Sequence, residues 1–396
     1  MGAQAASDAL GREIEERADR LRQALRAQGL DGALLLFPTD VLYFSGTRQN
    51  GALWIPAEGP PTFLVRRSLA RARLESRVAD VRPFPPTREL AALFGAEVRR
   101  VGLTLDAVPA AQVDFWRRHL AGREIADVSG MLRQQRSVKS PFEIERQRAC
   151  AERLCAVYAE VPTFLRAGMR EIDLAAEFEC RLRKAGNEGV SRLRAYNLEL
   201  GGGVIASGVG ALEPSYFDGP VAGRGLSPAA PSGASRRVIG RDEPVLLDYT
   251  ATMEGYIVDM TRVFVVGRLA GDLERAFQAA LAIQAEVAER LRPGAVPDEI
   301  WERALRLAEE VRLGDCFMGP PGEQVRFVGH GVGLELDELP VLAPGFSAPL
   351  VAGQTVAVEP KFVLPGLGAV GIENTWVVAP GGGVRLTSLA DDLVRL

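Results

Sequence analysis

Five side chains in the second half of this chain, Asp248, Asp259, His330, Glu359 and Glu373, are of the types that hold divalent metal ions. Their spacing fits two β-hairpins and a loop. In VLLDYTATMEGYIVDMTRVF the turn falls near Met253–Gly255, which sets Asp248 nearly opposite Asp259. In TVAVEPKFVLPGLGAVGIENTWVV the turn is Pro365–Gly366–Leu367–Gly368, which sets Glu359 opposite Glu373. Directly opposed residues lie about 4.5–5.5 Å apart at Cβ, and like charges there are destabilising unless something compensates. Both strand contexts are apolar, so solvent does not provide that compensation. One or two divalent cations would.

His330 lies in Phe327-Val-Gly-His-Gly-Val-Gly-Leu, where the glycines at 329, 331 and 333 let backbone pack closely around the imidazole. His119, the only other histidine, belongs to an arginine-rich helical segment and reads as a surface or core residue. The donor set is rich in oxygen, poor in nitrogen and free of thiolate, which suits Mn²⁺, Fe²⁺ or Co²⁺ as well as Zn²⁺. Cys150, Cys155, Cys180 and Cys316 show no CxxC spacing and read as free thiols.

Two domains are expected of 396 residues. Residues 8–28 carry an amphipathic helical pattern (Leu10, Ile14, Ala18, Leu21, Leu25) closed by Gly29. A buried strand over 33–37, a Pro-Thr-Asp turn, strands over 52–55 and 61–65, and helices near 69–77, 89–94 and 110–120 follow. That alternation predicts an α/β unit. It contains no glycine loop that would cradle phosphate. The character changes over 132–141, and the boundary is placed near residue 135, giving domains 1–135 and 136–396. Ser140-Pro141-Phe142-Glu143 opens a long helix to about 165, Gly168 breaks it, and a second helix runs over 171–184. From Arg194 the pattern is β-rich. A Gly/Pro/Ser loop spans 218–235, and helices over 272–291 and 297–311 cover the sheet.

Composition excludes other roles. A net charge of −4 offers no field for nucleic acid, and Lys139, Lys184 and Lys361 are the only lysines. The acidic, amphipathic N-terminus has no apolar signal core, and no apolar run approaches the roughly 20 residues of a membrane span. A cytoplasmic location is expected.

These residues carry a family resemblance. RSVKSPFEIERQR resembles the opening of the catalytic domain in the creatinase/aminopeptidase P/prolidase group of pita-bread metallopeptidases. LLDYTATMEGYIVDMTR, GHGVGLELDELP, VEPKFVLPG and GIENTWVV resemble that group's metal motifs in their order. The resemblance covers essentially the whole chain. It implies a creatinase-type N-terminal α/β domain and a pita-bread catalytic domain, a curved antiparallel sheet covered by helices. It also implies two divalent metal ions (Mn, Co, Zn or Fe). Asp248 would chelate one, Asp259 and Glu373 would bridge both, and His330 and Glu359 would hold the second. Glu359 is then the implied proton shuttle as well as a ligand. The implied reaction is hydrolysis of a small peptide amide, usually an Xaa–Pro bond, by a homodimer.

Three positions depart from the family. Its second histidine after the metal histidine is replaced by Asp337, in Gly333-Leu-Glu-Leu-Asp337-Glu338. Its histidine before the first aspartate is replaced by Ser215, in Ser207-Gly-Val-Gly-Ala-Leu-Glu-Pro-Ser215-Tyr216. The arginine two residues before the last glutamate is Gly371. Such histidines donate to the substrate carbonyl, and one lost donor costs about 2.7–4 kcal/mol of transition-state stabilisation. Asp337 is therefore protonated, faces a cationic substrate group, marks a changed chemistry, or caps a turn outside the site. Tyr216 either replaces the lost donor through its hydroxyl or packs as an aromatic. The competing functions are a hydrolase of Xaa–Pro or a related small amide, C–N or C–S cleavage of a small non-peptide metabolite on the same metal site, and a non-catalytic peptide-binding protein.

Overall fold

The first helix, α1 (Ala3–Ala27), buries Ile14, Ala18, Leu21 and Leu25, spaced three or four residues apart along one stripe. Gly29 ends it with φ of 64°, a left-handed conformation that a β-carbon disfavours. The structure, a computed structural model, describes residues 3–120, 122–194 and 202–396. By its internal contacts the chain divides into two compact units, Met1–Arg136 and Ser137–Leu396.

Six strands form the sheet of the first unit: β1 (Gly32–Leu35), β2 (Gly51–Pro56), β3 (Thr62–Val65), β4 (Asp80–Pro83), β5 (Arg100–Leu103) and β6 (Glu124–Asp127). Their order is β4-β3-β2-β1-β5-β6, with parallel and antiparallel pairs mixed. The Pro-Thr-Asp segment expected as a turn instead opens a helix, α2 (Pro38–Ser45), and α3 (Leu69–Glu75), α4 (Ala110–His119) and α5 (Ser129–Ser137) follow in chain order. Proline is pre-set for the first helical position, Asp40 lies in the first turn, and Val41 and Phe44 supply the buried side. Strands β4, β5 and β6 are four residues each and carry charges, so no alternating pattern announced them.

In the second unit Ser140 caps α6 (Pro141–Phe164) through a complete capping box with Glu143. Helix α7 (Glu171–Lys184) follows, then β7 (Gly203–Ser207) and the long hairpin β8 (Pro244–Met253) and β9 (Tyr256–Val265). The β-rich reading from Arg194 falls partly on residues 195–201, outside the described residues. Helices α8 (Gly271–Arg290) and α9 (Pro297–Glu310) precede β10 (Gly329–Gly331), β11 (Glu338–Val341), β12 (Thr355–Val358), β13 (Lys361–Leu364), β14 (Gly368–Gly371) and β15 (Asn374–Val377). Short strands β16 (Val384–Arg385) and β17 (Val394–Arg395) close the unit. Apart from the parallel β17–β9 edge, the strand pairs here are antiparallel.

Alternation divides the hairpin between two layers. Leu247, Tyr249, Ala251, Val258, Met260 and Phe264 pack in one core cluster with α6 and α7. Leu246, Val263 and Val265 pack in another with α8 and α9. Asp248, Thr250, Asp259 and Thr261 share the second face, away from α6 and α7. A carboxylate at the start of α7 ties down the loop before β8: buried Glu171 accepts from the N–H and hydroxyl of both Ser207 and Ser235. No helix among the described residues is long and apolar enough to cross a membrane.

Tyr158, fully buried in α6, pins the back of the hairpin. Its hydroxyl donates to Met260 O (2.5 Å) and accepts from Tyr249 N–H (3.1 Å). Tyr158→Phe removes the hydroxyl's bonds to both backbone groups and is expected to lower stability by about 0.5–1.5 kcal/mol, read as a lower urea midpoint at unchanged m-value. An unchanged midpoint would show that the hydroxyl carries no such role.

Candidate metal centre

The hairpin register sets the first pair of carboxylates. Asp248 faces Thr261, and Thr250 faces Asp259. The two aspartates, expected nearly opposite one another, are offset by two residues and meet diagonally on one face. The turn causes the shift. Met253 pairs with Tyr256, so the tip is Glu254–Gly255, with φ of 49° and 83°, and the glycine takes the left-handed position. In the second ladder Val358 faces Asn374 and Lys361 faces Gly371. That common register carries Glu359 opposite Glu373, at the gap where Pro360 lacks a donor and Ile372 N–H reaches back to Pro360 O (3.2 Å).

Four hydrogen bonds join the two ladders. Glu373 N–H donates to Thr261 O (3.3 Å), and Thr261 Oγ1 donates to Glu373 Oε2 (2.8 Å). Thr375 Oγ1 accepts from Asp259 N–H and donates to Asp259 O, each at 3.0 Å. Beneath them the buried Arg262 guanidinium donates to Glu373 O (2.9 Å) and Asn374 Oδ1 (2.9 Å). The carboxylates are thus positioned by the backbone rather than left to find each other.

His330 enters from β10. Its flanking glycines are required by close approach: a β-carbon at Gly331 would lie 2.3 Å from Leu339 O. Nδ1 is 3.1 Å from Leu336 O, and a carbonyl only accepts, so Nδ1 carries the proton. That leaves the Nε2 lone pair inward, 3.5 Å from Glu359 Oε1. A histidine oriented by a backbone carbonyl in this way is suited to bind metal.

Candidate ligand atoms gather in two groups, each within 4.8 Å: Asp259, His330 and Glu373, and Asp248, Glu359 and Glu373. The first group fits a divalent ion. It offers two carboxyl groups and one imidazole, all buried, and Glu373 Oε1 is buried without a hydrogen-bond partner. Lys361 stands in the second group. Its fully buried ammonium is 2.8 Å from Asp248 Oδ2, 2.6 Å from Glu359 Oε2 and 3.0 Å from Glu373 Oε2. The expectation that only metal would neutralise these carboxylates therefore needs correcting, because a side chain of the same ladder does part of that work. At 4 Å and an effective dielectric of 20, unit charges interact by about 4 kcal/mol, so a divalent ion set against this ammonium meets roughly twice that in repulsion.

Burial is the main force on the protonation of these groups. It pushes Asp248 up to about 6, against the pull of Lys361 and with a further push from Glu373. It raises Asp259 well above the carboxylate range, with Glu373 and Asp248 adding to it. Burial works to lower His330 and Lys361, but their neighbouring carboxylates outweigh it and raise both.

The replaced positions behave differently from one another. Asp337 lines the ligand cleft, half exposed, with Oδ1 3.5 Å from His330 Nδ1, the side of the ring away from Glu359. Tyr216 is not brought to the ligands. Ser215 Oγ donates to Pro231 O, and beyond it Phe217 lines the ligand cleft while Tyr216 lines only the adjoining cleft with Pro214 and Arg326. The donor role for Tyr216 is set aside on that placement. Gly371 lies directly across the ladder from Lys361. Sequence reasoning passed over Lys361, although its position two residues after Glu359, opposite a glycine, puts it on the same face of the strand.

Comparison with known proteins agrees with this architecture. The profile of metallopeptidase family M24 matches residues 145–380, and that of the creatinase/prolidase N-terminal domain matches 17–138. The chain belongs to metallopeptidase family M24, a class that works with divalent metal ions. It is 26% identical to the Xaa-Pro dipeptidase of Pyrococcus furiosus over 96% of this chain and 100% of that protein. It is also 26% identical to the probable dipeptidase PepE of Mycobacterium tuberculosis, over 92% of each. Among solved structures, the Xaa-Pro dipeptidase from Bacillus anthracis superposes with a TM-score of 0.83 at 25% identity, covering 97% of this chain and 100% of that one.

The raised carboxyl of Asp248 has a signed consequence for the metal-free protein. Its folded pKa, about 6, lies above the unfolded value, so the stability it contributes is fully present below pH about 4 and is lost as pH rises through about 6. Between those limits the loss is about 2–3 kcal/mol. Urea midpoints of chelator-treated protein across pH 4–7 should therefore fall less steeply in Asp248→Asn than in the parent. Equal slopes would remove Asp248 from this role.

Proposed function

We propose that this protein is a metal-dependent dipeptidase that hydrolyses an Xaa–Pro amide bond in small peptides. The observation that carries this reading is the convergence of Asp259, His330 and Glu373 in a buried group whose Glu373 Oε1 has no other partner. The dipeptidase names of relatives that span nearly the whole chain support the substrate class. Manganese, cobalt, zinc or iron(II) each suit two carboxylates and an imidazole. A divalent ion held there lowers the pKa of water and polarises the scissile carbonyl.

The chain's own residues do the rest. Glu359 has one oxygen, Oε2, bonded to Lys361, and Oε1 turned toward His330, so Oε1 is the atom that takes a proton and returns it to the leaving nitrogen. Leu336 O fixes the His330 tautomer, and Asp337, on the same side of the ring, raises the imidazole's basicity. Asp337 is a positioning residue in this account, not a replacement donor to the substrate. Phe217 and Phe327 supply apolar walls to the cleft, as a prolyl ring requires.

Protein reloaded with Mn²⁺ or Co²⁺ is expected to cleave Xaa–Pro dipeptides, and chelation is expected to abolish the activity. Asp337→Asn should lose about 10–100-fold in metal affinity or activity. A metal-loaded protein inert across a broad Xaa–Pro panel would overturn the substrate assignment.

A further inference from the structure

The two candidate ligand groups are not equivalent, because one of them already contains a cation. Lys361 reaches an oxygen of Asp248, Glu359 and Glu373, one donor for each carboxylate, and is itself completely buried. An ammonium is a compact point charge with three donors, whereas a guanidinium is a broad planar fork. This chain uses lysine at only three positions among 47 basic residues, and one of them is here.

Two further observations fit a built position. Glu373 divides its oxygens: Oε2 accepts from Lys361 and Thr261, while Oε1 stays buried and unpartnered beside the other group. Across the ladder Gly371 leaves room for the lysine stem; a β-carbon there would lie 2.6 Å from Lys361 Cγ and 2.7 Å from Pro360 O.

We propose that this protein carries its own second cation: it holds a single divalent ion at Asp259, His330 and Glu373, and the Lys361 ammonium fills the position between Asp248, Glu359 and Glu373. The inference rests on reading the site as a metal centre and revises the two-ion expectation. Its consequence is that Asp248 serves the ammonium rather than a metal. Glu359 retains a single oxygen for proton transfer.

Full-length protein, stripped with chelator, reloaded with Mn²⁺ and freed of excess, tests this by metal content per chain and by electron paramagnetic resonance. The expected result is one equivalent with the spectrum of an isolated Mn²⁺. Asp248→Asn should keep that equivalent, and Asp259→Asn should lose it. Lys361→Ala, which vacates the position, should admit a second equivalent and show exchange-coupled Mn²⁺. Two coupled ions in the parent protein, loss of an equivalent in Asp248→Asn, or no bound metal would each overturn the proposal. The parent and Asp248→Asn decide the matter even if Lys361→Ala fails to fold. Two coupled ions in an active dipeptidase would sink this inference and leave the proposed function intact. One isolated ion in a protein inert on Xaa–Pro peptides would do the reverse.

Discussion

Four carboxylates share one buried space in this protein, and the fold has to supply cations to match them. Burial alone drives Asp248 and Asp259 toward their protonated forms. A buried charge without a partner is unfavourable by far more than a typical domain can tolerate. The ammonium of Lys361 answers part of that demand from within the chain, and the unpartnered Oε1 of Glu373 marks where the demand remains.

The surrounding architecture serves to hold those charges in register. Hairpin β8–β9 presents two aspartates diagonally, and the β12–β15 ladder presents two glutamates directly across the break at Pro360. Thr261 and Thr375 stitch one to the other, and Arg262 braces the backbone of Glu373 from below. Thr261, Thr375 and Arg262 do not line the cleft themselves. They act by making the geometry of Asp259, His330 and Glu373 a property of hydrogen-bonded strands, which leaves little freedom for the ligands to drift apart.

Much of this was legible in the sequence because it depends on local pattern. The Ser140–Glu143 cap, the helices over 141–164 and 171–184, and both hairpins follow from capping and turn chemistry. The five candidate ligands fall in two groups of three that share Glu373, although the hairpin pairing behind them differs from the expected one. What was not legible depends on register and cross-strand neighbours. The turn at Glu254–Gly255 sets Asp248 across from Thr261, so that it meets Asp259 diagonally rather than nearly opposite. Lys361 carries no local signal, because its place depends on Gly371 lying across the ladder. Tyr216 lines the adjoining cleft rather than the one with the candidate ligands, a placement set by contacts such as Ser215 Oγ to Pro231 O that no motif encodes. The short charged strands β4 to β6 exist through tertiary pairing rather than their own propensity.

Lys361 therefore separates this chain from a simple reading of its ligand set, and the place to test it is the centre itself. Crystals of the Mn²⁺-loaded protein, measured for anomalous scattering from manganese, give the answer directly. The account predicts one peak, flanked by Asp259, His330 and Glu373, with Lys361 Nζ still bonded to Asp248 and Glu359. Two peaks, with the lysine displaced from between the carboxylates, would contradict it.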